Sequence, residues 1–273
     1  MYTIVDLSNE KNGYYTYQLK KDNKIVVLLR AHREREYGNS YILRVIDTTS
    51  MTDLSTVRTE WPVPYFMISK LLQELMKNNI KDDIYLIDTY DPRLVRIISD
   101  FNFELAYKNY FGSIEIDTLI HYLERQTKTH ALMNYYPVTA YNKEPLIKKA
   151  MEVYESNFNI EDKNKLPYSY WEAQLANDLD MLNSVALYPT KTIRGYAFLY
   201  KVMYEVDIGH VFYDSLESKE RVVSSLLASL RSMRGEIEEV FLNIRARDIY
   251  TSDLFKTLDK SEFFNQCVYK MKK

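Results

Sequence analysis

Glycine is what this 273-residue chain has least of: six occur, Gly13, Gly38, Gly112, Gly195, Gly209 and Gly235, and no two are neighbours. A phosphate cradle of the dinucleotide or P-loop kind needs glycines clustered in one turn, so nucleotide enzymes built on such loops are excluded. The single cysteine, Cys267, rules out an intramolecular disulfide and a cysteine-based zinc cluster. Basic excess is missing too. Lys plus Arg number 36 against 38 Asp plus Glu, a net charge of −2, so general nucleic-acid binding is not expected. No apolar run approaches the roughly 18 residues that cross a bilayer, and MYTIVDLSNEKNG lacks a signal-peptide pattern. These absences predict a cytoplasmic protein without a membrane span. His32, His121 and His130 stand apart from any ligand-like spacing of carboxylates, so no metal site is expected.

What is present is apolar and aromatic. Hydrophobic residues make up 46% of the chain, enough for sizeable cores, and 25 tyrosines are scattered through it in a way that suits amphipathic strands. Tyr14 to Leu19 and Lys24 to Arg30 flank the turn Lys21-Asp22-Asn23 and predict a hairpin, and Ser40 to Ile46 predicts a third strand. Prolines at 62 and 64 precede an apolar helical face at Ile68, Leu71, Leu72, Leu75 and Met76. Ile84 to Thr89 is a buried strand, Leu94 to Phe101 a helical stripe, and Ala106 to Ile116 a further strand. Ile116, Leu119, Ile120 and Leu123 form one face of a short helix, read as a connection.

From Ala131 the order starts again. A strand, helices over about 143–158 and 168–182, and strands at Ser184 to Tyr188 and Arg194 to Val202 lead to DIGHVFYDSLESKERVVSSLLASL, residues 207–230. Here alternation around Val206, Ile208 and Val211 predicts a strand, Asp214 to Ser218 a bend, and Val222, Val223, Leu226, Leu227, Leu230 and Met233 a helix over 219–233. Glu239 to Ile244, Ser252 to Leu258 and Phe263 to Met271 complete the series as strand, short helix and strand.

This strand–loop–helix stretch resembles the core motif of the GNAT acetyltransferase superfamily, and DPRLVRIISDFNF, residues 91–103, resembles that family's helix after the fifth strand. The resemblance implies an α/β (α+β) fold of two GNAT-like mixed-sheet domains in tandem. The expected divisions are 1–117, a linker helix at 118–130, and 131–273, with the first copy truncated at its N-terminus. It also implies an acyl-CoA site at Val211, Phe212, Tyr213, Ser218, Lys219 and Arg221. The chain departs from the family here: Ser218, Arg221 and Val223 occupy the positions of the motif's arginine and glycines, which predicts loss of ordinary acetyl-CoA binding. The tyrosine that protonates the departing thiolate in many members is matched by Ile98 in the first half and by Phe255 or Leu258 in the second.

In GNAT enzymes a carboxylate on this strand often deprotonates the acceptor amine. Glu205 and Asp207 share a strand face at period two and are the candidate base, with His210 after Gly209 a further candidate; a solvated strand face is the plainer account of all three. Three functions fit. One is N-acyl transfer to a small-molecule or protein amine from a non-standard donor site. The second is a catalytically silent GNAT fold used for binding or assembly. The third is an aminoacyl-tRNA-dependent transferase, disfavoured by the near-neutral charge. Homo-oligomerisation is left open.

Overall fold

The computed structural model describes residues 2–8, 15–33, 41–47, 69–73, 84–88, 98–127, 136–138, 143–158, 165–176, 179–187 and 192–272. In chain order the strands are β1 (Tyr2–Asp6), β2 (Tyr15–Lys21), β3 (Lys24–Arg33), β4 (Tyr41–Asp47), β5 (Ile84–Asp88), β6 (Phe103–Glu115), β7 (Tyr136–Pro137), β8 (Val185–Leu187), β9 (Gly195–Val202), β10 (Glu205–Tyr213), β11 (Glu239–Ile244) and β12 (Phe264–Met271). The helices used below are α1 (Ile116–Glu124), α2 (Lys143–Phe158), α3 (Tyr168–Ala176), α4 (Leu216–Met233) and α5 (Ile249–Leu254). Two compact units result: residues 1–108 with 265–273, and residues 109–264.

In the first unit β1 to β4 run antiparallel to their neighbours, β4 pairs parallel with β5, and β5 pairs antiparallel with β12. Asp22 and Asn23 both have positive φ, the backbone a two-residue hairpin turn between twisted strands requires. Tyr15, Tyr17, Leu19, Leu29, Ala31, Tyr41, Leu43, Ile84 and Leu86 form a core with Leu71 and Leu72, which lie in the helical residues 69–73. The other residues of the helical face expected there, Ile68, Leu75 and Met76, lie outside the described residues, as do Pro62 and Pro64.

The second unit repeats the plan. Strands β7 to β10 are antiparallel, β10 pairs parallel with β11, and β11 pairs antiparallel with residues 110–115 of β6. Its core lies between one face of this sheet and helices α1 and α4: Val206, Ile208, Val211, Val240, Leu242 and Ile244 meet Leu119, Leu123, Val222, Leu226 and Leu230. A second cluster covers the opposite face, where Leu146, Ile147, Ala150, Trp171 and Leu175 of α2 and α3 meet Tyr196, Phe198 and Phe212.

Three features differ from the sequence reading. A strand, β1, precedes the hairpin, and only residues 7–14 separate it from β2, whereas α2 and α3 stand between β7 and β8. The short helix α1 does not bridge: its four apolar residues are all buried in the second unit's core. The closing strands are also traded. The last strand of the chain pairs within the first unit and the end of β6 pairs within the second, although the expected divisions had put each with its neighbours in sequence. Periodicity shows that a segment is a strand but not which distant strand it joins.

Candidate functional site

Strand β10 is buried on one face by alternation. Val206 and Ile208 point into the core with α4, so Glu205 and Asp207 lie on the opposite face. On one side β10 is bonded to β9; on the other its ladder with β11 runs from Glu205↔Glu239 to Ile208↔Leu242 and stops there, although β10 continues to Tyr213 and β11 to Ile244. The register against β9 also breaks between Ile208 and Val211. The break falls at Gly209, where the Tyr200 ring lies so close that a Cβ would stand 2.3 Å from Cε2. Only glycine admits that ring.

Asp207 is directly across from Tyr200 on β9. It is partly buried, and its Oδ1 is shut off from solvent without a hydrogen-bond partner among the described residues. Burial alone pushes its carboxyl up to about 6. The Tyr200 phenol is pushed up as well, first by burial and then by the Asp207 charge. Glu205, at the start of the strand, is exposed. His210 is partly buried within an aromatic group, 6.0 Å from the Trp171 ring and 6.4 Å from that of Phe198. The structure therefore separates three candidates that the sequence had grouped.

Two buried polar atoms on this side were not anticipated. Asn243 on β11 has a buried Oδ1, and Trp171 on α3 a buried Nε1; neither has a partner among the described residues. The one sequence signal for Asn243 is a polar side chain breaking the apolar run Val240-Phe241-Leu242.

The six residues expected at a cofactor site divide differently. Val211 is in the core beneath α4, and Phe212 is buried against Tyr196 and Tyr250. Tyr213 donates to Asp253 Oδ2 at 2.6 Å, and Lys219 pairs with the same oxygen at 2.7 Å. These two bonds hold the Asp253 carboxyl below its ordinary range, the Lys219 one most. Arg221 pairs along the helix with Glu217 at 2.5 Å. Helix α4 begins at Leu216, earlier than the sequence reading, so Ser218 is helical rather than part of the bend, and Val223 points into the core.

One of the first amides is claimed from within. Ser215 caps the helix by accepting from Ser218 N at 3.2 Å, and Ser218 Oγ donates to Asp214 Oδ1 at 2.6 Å. Arg194 donates to Asp214 Oδ2 at 2.9 Å and to Ser215 Oγ at 3.2 Å. Burial raises the Asp214 carboxyl, but the bonds from Arg194, Ser218 and Ser215 outweigh it and bring the group below its usual value. The adjacent Asp214 carboxylate and the Ser215 cap oppose a diphosphate at this helix start, so the residues present fit coenzyme A poorly if it is held in that way.

The position of a thiolate-protonating acid is apolar, since Phe255 and Leu258 are both buried in the core. Tyr250 stands one turn away, edge-on to Phe212 and Tyr213, with ring centroids 5.2 Å from each. Its phenol is raised by burial and then by Asp248, Asp214 and Glu152. Among the described residues no three His, Cys, Asp or Glu side chains stand together as a metal site, and no helix is long and apolar enough to cross a membrane.

No family model matches the sequence, and no curated protein matches it. Solved structures do. A GCN5-related N-acetyltransferase from Sphaerobacter thermophilus is similar over 93% of this chain and 79% of its own, with a TM-score of 0.55 and 9% identity. A tandem GNAT protein from the clavulanic acid biosynthesis pathway is similar over 95% of this chain and 82% of its own, with a TM-score of 0.50 and 11% identity. At these identities the likeness is one of fold, and the fold is that of the GNAT N-acetyltransferases.

Proposed function

We propose that residues 109–264 move an acyl group from an activated donor to an amine, with Asp207 as the base. The observation that supports this reading is the solvent-shielded, unpartnered Oδ1 of Asp207 next to the point where β10 and β11 cease to be bonded. A general base works best when its pKa is near the working pH, and burial has moved this carboxyl up to about 6. Glu205, exposed at the strand's start, has no such environment. The acceptor is a small-molecule or protein amine. Because the start of α4 is capped by its own side chains, the donor is one that needs no diphosphate grip there. The tandem division read from the sequence belongs to the same proposal, with the second unit as the one that carries the chemistry.

The test uses thioesters of N-acetylcysteamine, which lack a diphosphate, with a panel of amines, and detects acylated amine by mass spectrometry. Turnover above the uncatalysed reaction is expected, and Asp207→Asn should lower it by about 10²–10⁴-fold. An unchanged rate in that variant removes Asp207 from the mechanism. A silent binding fold is the second reading, favoured by the buried apolar Phe255 and Leu258 where an acid would serve; it gains if the wild-type protein gives no turnover with any pair.

A further inference from the structure

We propose that the turn joining β9 to β10, Met203-Tyr204, together with the glutamates beside it, docks the apolar face of a basic amphipathic helix from another protein. A turn of the same length between β2 and β3 shows what such a position ordinarily holds. There the residues are Asp22 and Asn23, with φ of 48° and 67°, and both belong to the short polar kind that tolerates a left-handed backbone. Met203 also has positive φ, 55°, but its long apolar side chain brings no such tolerance. Met203 is 85% exposed and Tyr204 75%, so packing within the fold accounts for neither side chain. An unfavourable backbone that displays two large apolar groups to solvent points to a contact made outside the chain.

The surroundings define the partner. Glu205 follows Tyr204, and the register sets Glu205 beside Glu239 of β11 and Glu239 beside Glu115 of β6. Residues in register share a face, so these three exposed side chains form a row of carboxylates across three strands, with steps of about 4.8 Å. Like charges set directly opposite one another weaken strand pairing. Glu238, exposed as well, donates its N–H to the Tyr204 carbonyl at 3.4 Å and so joins the row to the turn. The bases alongside are already engaged: Lys201 pairs with Glu236 at 2.9 Å, and Arg234 with Asp117 at 2.7 Å. The patch is therefore an aromatic ring and an adaptable thioether bordered by excess negative charge. A helix with a leucine stripe flanked by lysines matches both parts. An anionic lipid surface matches the apolar part alone and is repelled by the other. The inference stands apart from the transfer reading, which uses Asp207.

The probe is a fluorescently labelled synthetic peptide built from Lys-Leu-Leu-Lys repeats, titrated with the full chain and followed by anisotropy. Controls are the same peptide with serine in place of leucine, the same peptide with glutamate in place of lysine, and vesicles of phosphatidylserine and phosphatidylcholine. The wild-type protein should bind the probe at least about tenfold more tightly than either control peptide, and Met203→Asn with Tyr204→Ser should weaken that binding at least about tenfold. Glu115→Gln with Glu239→Gln should weaken it too and flatten its dependence on salt. Met203→Asn gives the turn a residue that suits positive φ, as Asn23 does, so the melting temperature should not fall and lost binding is not lost fold. No binding by the wild-type protein, equal binding of a control peptide, an affinity unchanged in either pair of substitutions, or association with the phosphatidylserine vesicles in place of the peptide overturns the proposal.

Discussion

Among the described residues each unit has a parallel strand pair, β4 with β5 in the first and β10 with β11 in the second, and the two pairs are finished differently. On the core side they agree: Tyr41, Leu43, Ile84 and Leu86 in one correspond to Val206, Ile208, Val240 and Leu242 in the other. On the far side they part. The first unit has Ile42, fully buried, packed with Val268, Tyr85 and Tyr107. The second has Asp207 and Asn243, each with an oxygen left unpaired. The same strand pairing thus carries Ile42 packed among apolar and tyrosine side chains in one unit, and a carboxylate and an amide, each with an unpaired oxygen, in the other. Unpaired buried atoms are costly, about 1–3 kcal/mol each, so a site that keeps two of them is a candidate for ligand binding.

The largest effect comes from giving the first unit the second unit's acid. Ile42→Asp replaces a fully buried aliphatic side chain, packed on Val268 and the Tyr85 and Tyr107 rings, with a carboxylate, and should cost about 3–5 kcal/mol in denaturant unfolding. A cost below 1 kcal/mol would mean that the two faces are not as different as their side chains imply. Gly209→Ala is next. The new methyl group collides with the Tyr200 ring, and a loss of about 1–3 kcal/mol in the same measurement is expected.

Asp207→Leu makes the second unit resemble the first, and should stabilise it. The folded-state carboxyl is raised to about 6, so above that pH the wild-type protein holds an ionised group that the unfolded chain tolerates better. As pH falls through about 6 toward the ordinary carboxylate range, the folded state takes up the proton first and the wild type regains stability. The leucine variant should lead by about 1–2 kcal/mol above pH 6, after discounting for the partial exposure of Asp207, and the lead should vanish in acid. A pH-independent difference would remove the titration from the explanation. The smallest expected effect is none: millimolar acetyl-CoA should leave the melting temperature of the wild-type protein unchanged, because Ser215, Asp214 and Arg194 already occupy the start of α4. A rise of several degrees would show that this network gives way to a diphosphate.

Much of the second unit was legible because its signals are local. The stripe from Val222 to Met233 and the alternation through Val206, Ile208 and Val211 each declare an element within a few residues, and the resemblance in residues 207–230 led to the right fold. Asp207 stood out by type and strand position. Its distinction from Glu205 did not, since one is exposed and the other partly buried only once Tyr200 and the Gly209 register break are in place. Asn243, marked only as a polar break in an apolar run, was passed over for a similar reason: an asparagine in a strand reads as an outward-facing residue until a neighbouring element covers it. The start of α4 was misjudged because Ser215 caps through its own side chain and lets the helix begin inside a stretch that looks like a polar loop.

The traded strands bear on how the protein is made. On the ribosome β5 is complete after residue 88, but the partner that covers its outer row of amides and carbonyls, Cys267 to Lys270, is the last strand to emerge. An uncovered strand edge is a template for any chain that can pair with it. Throughout synthesis of residues 109–264 the first unit carries such an edge, while the strand that closes the second unit, the end of β6, is already in hand when β11 appears. The amino-terminal unit, begun first, receives its β12 partner only after residues 109–264 have been made.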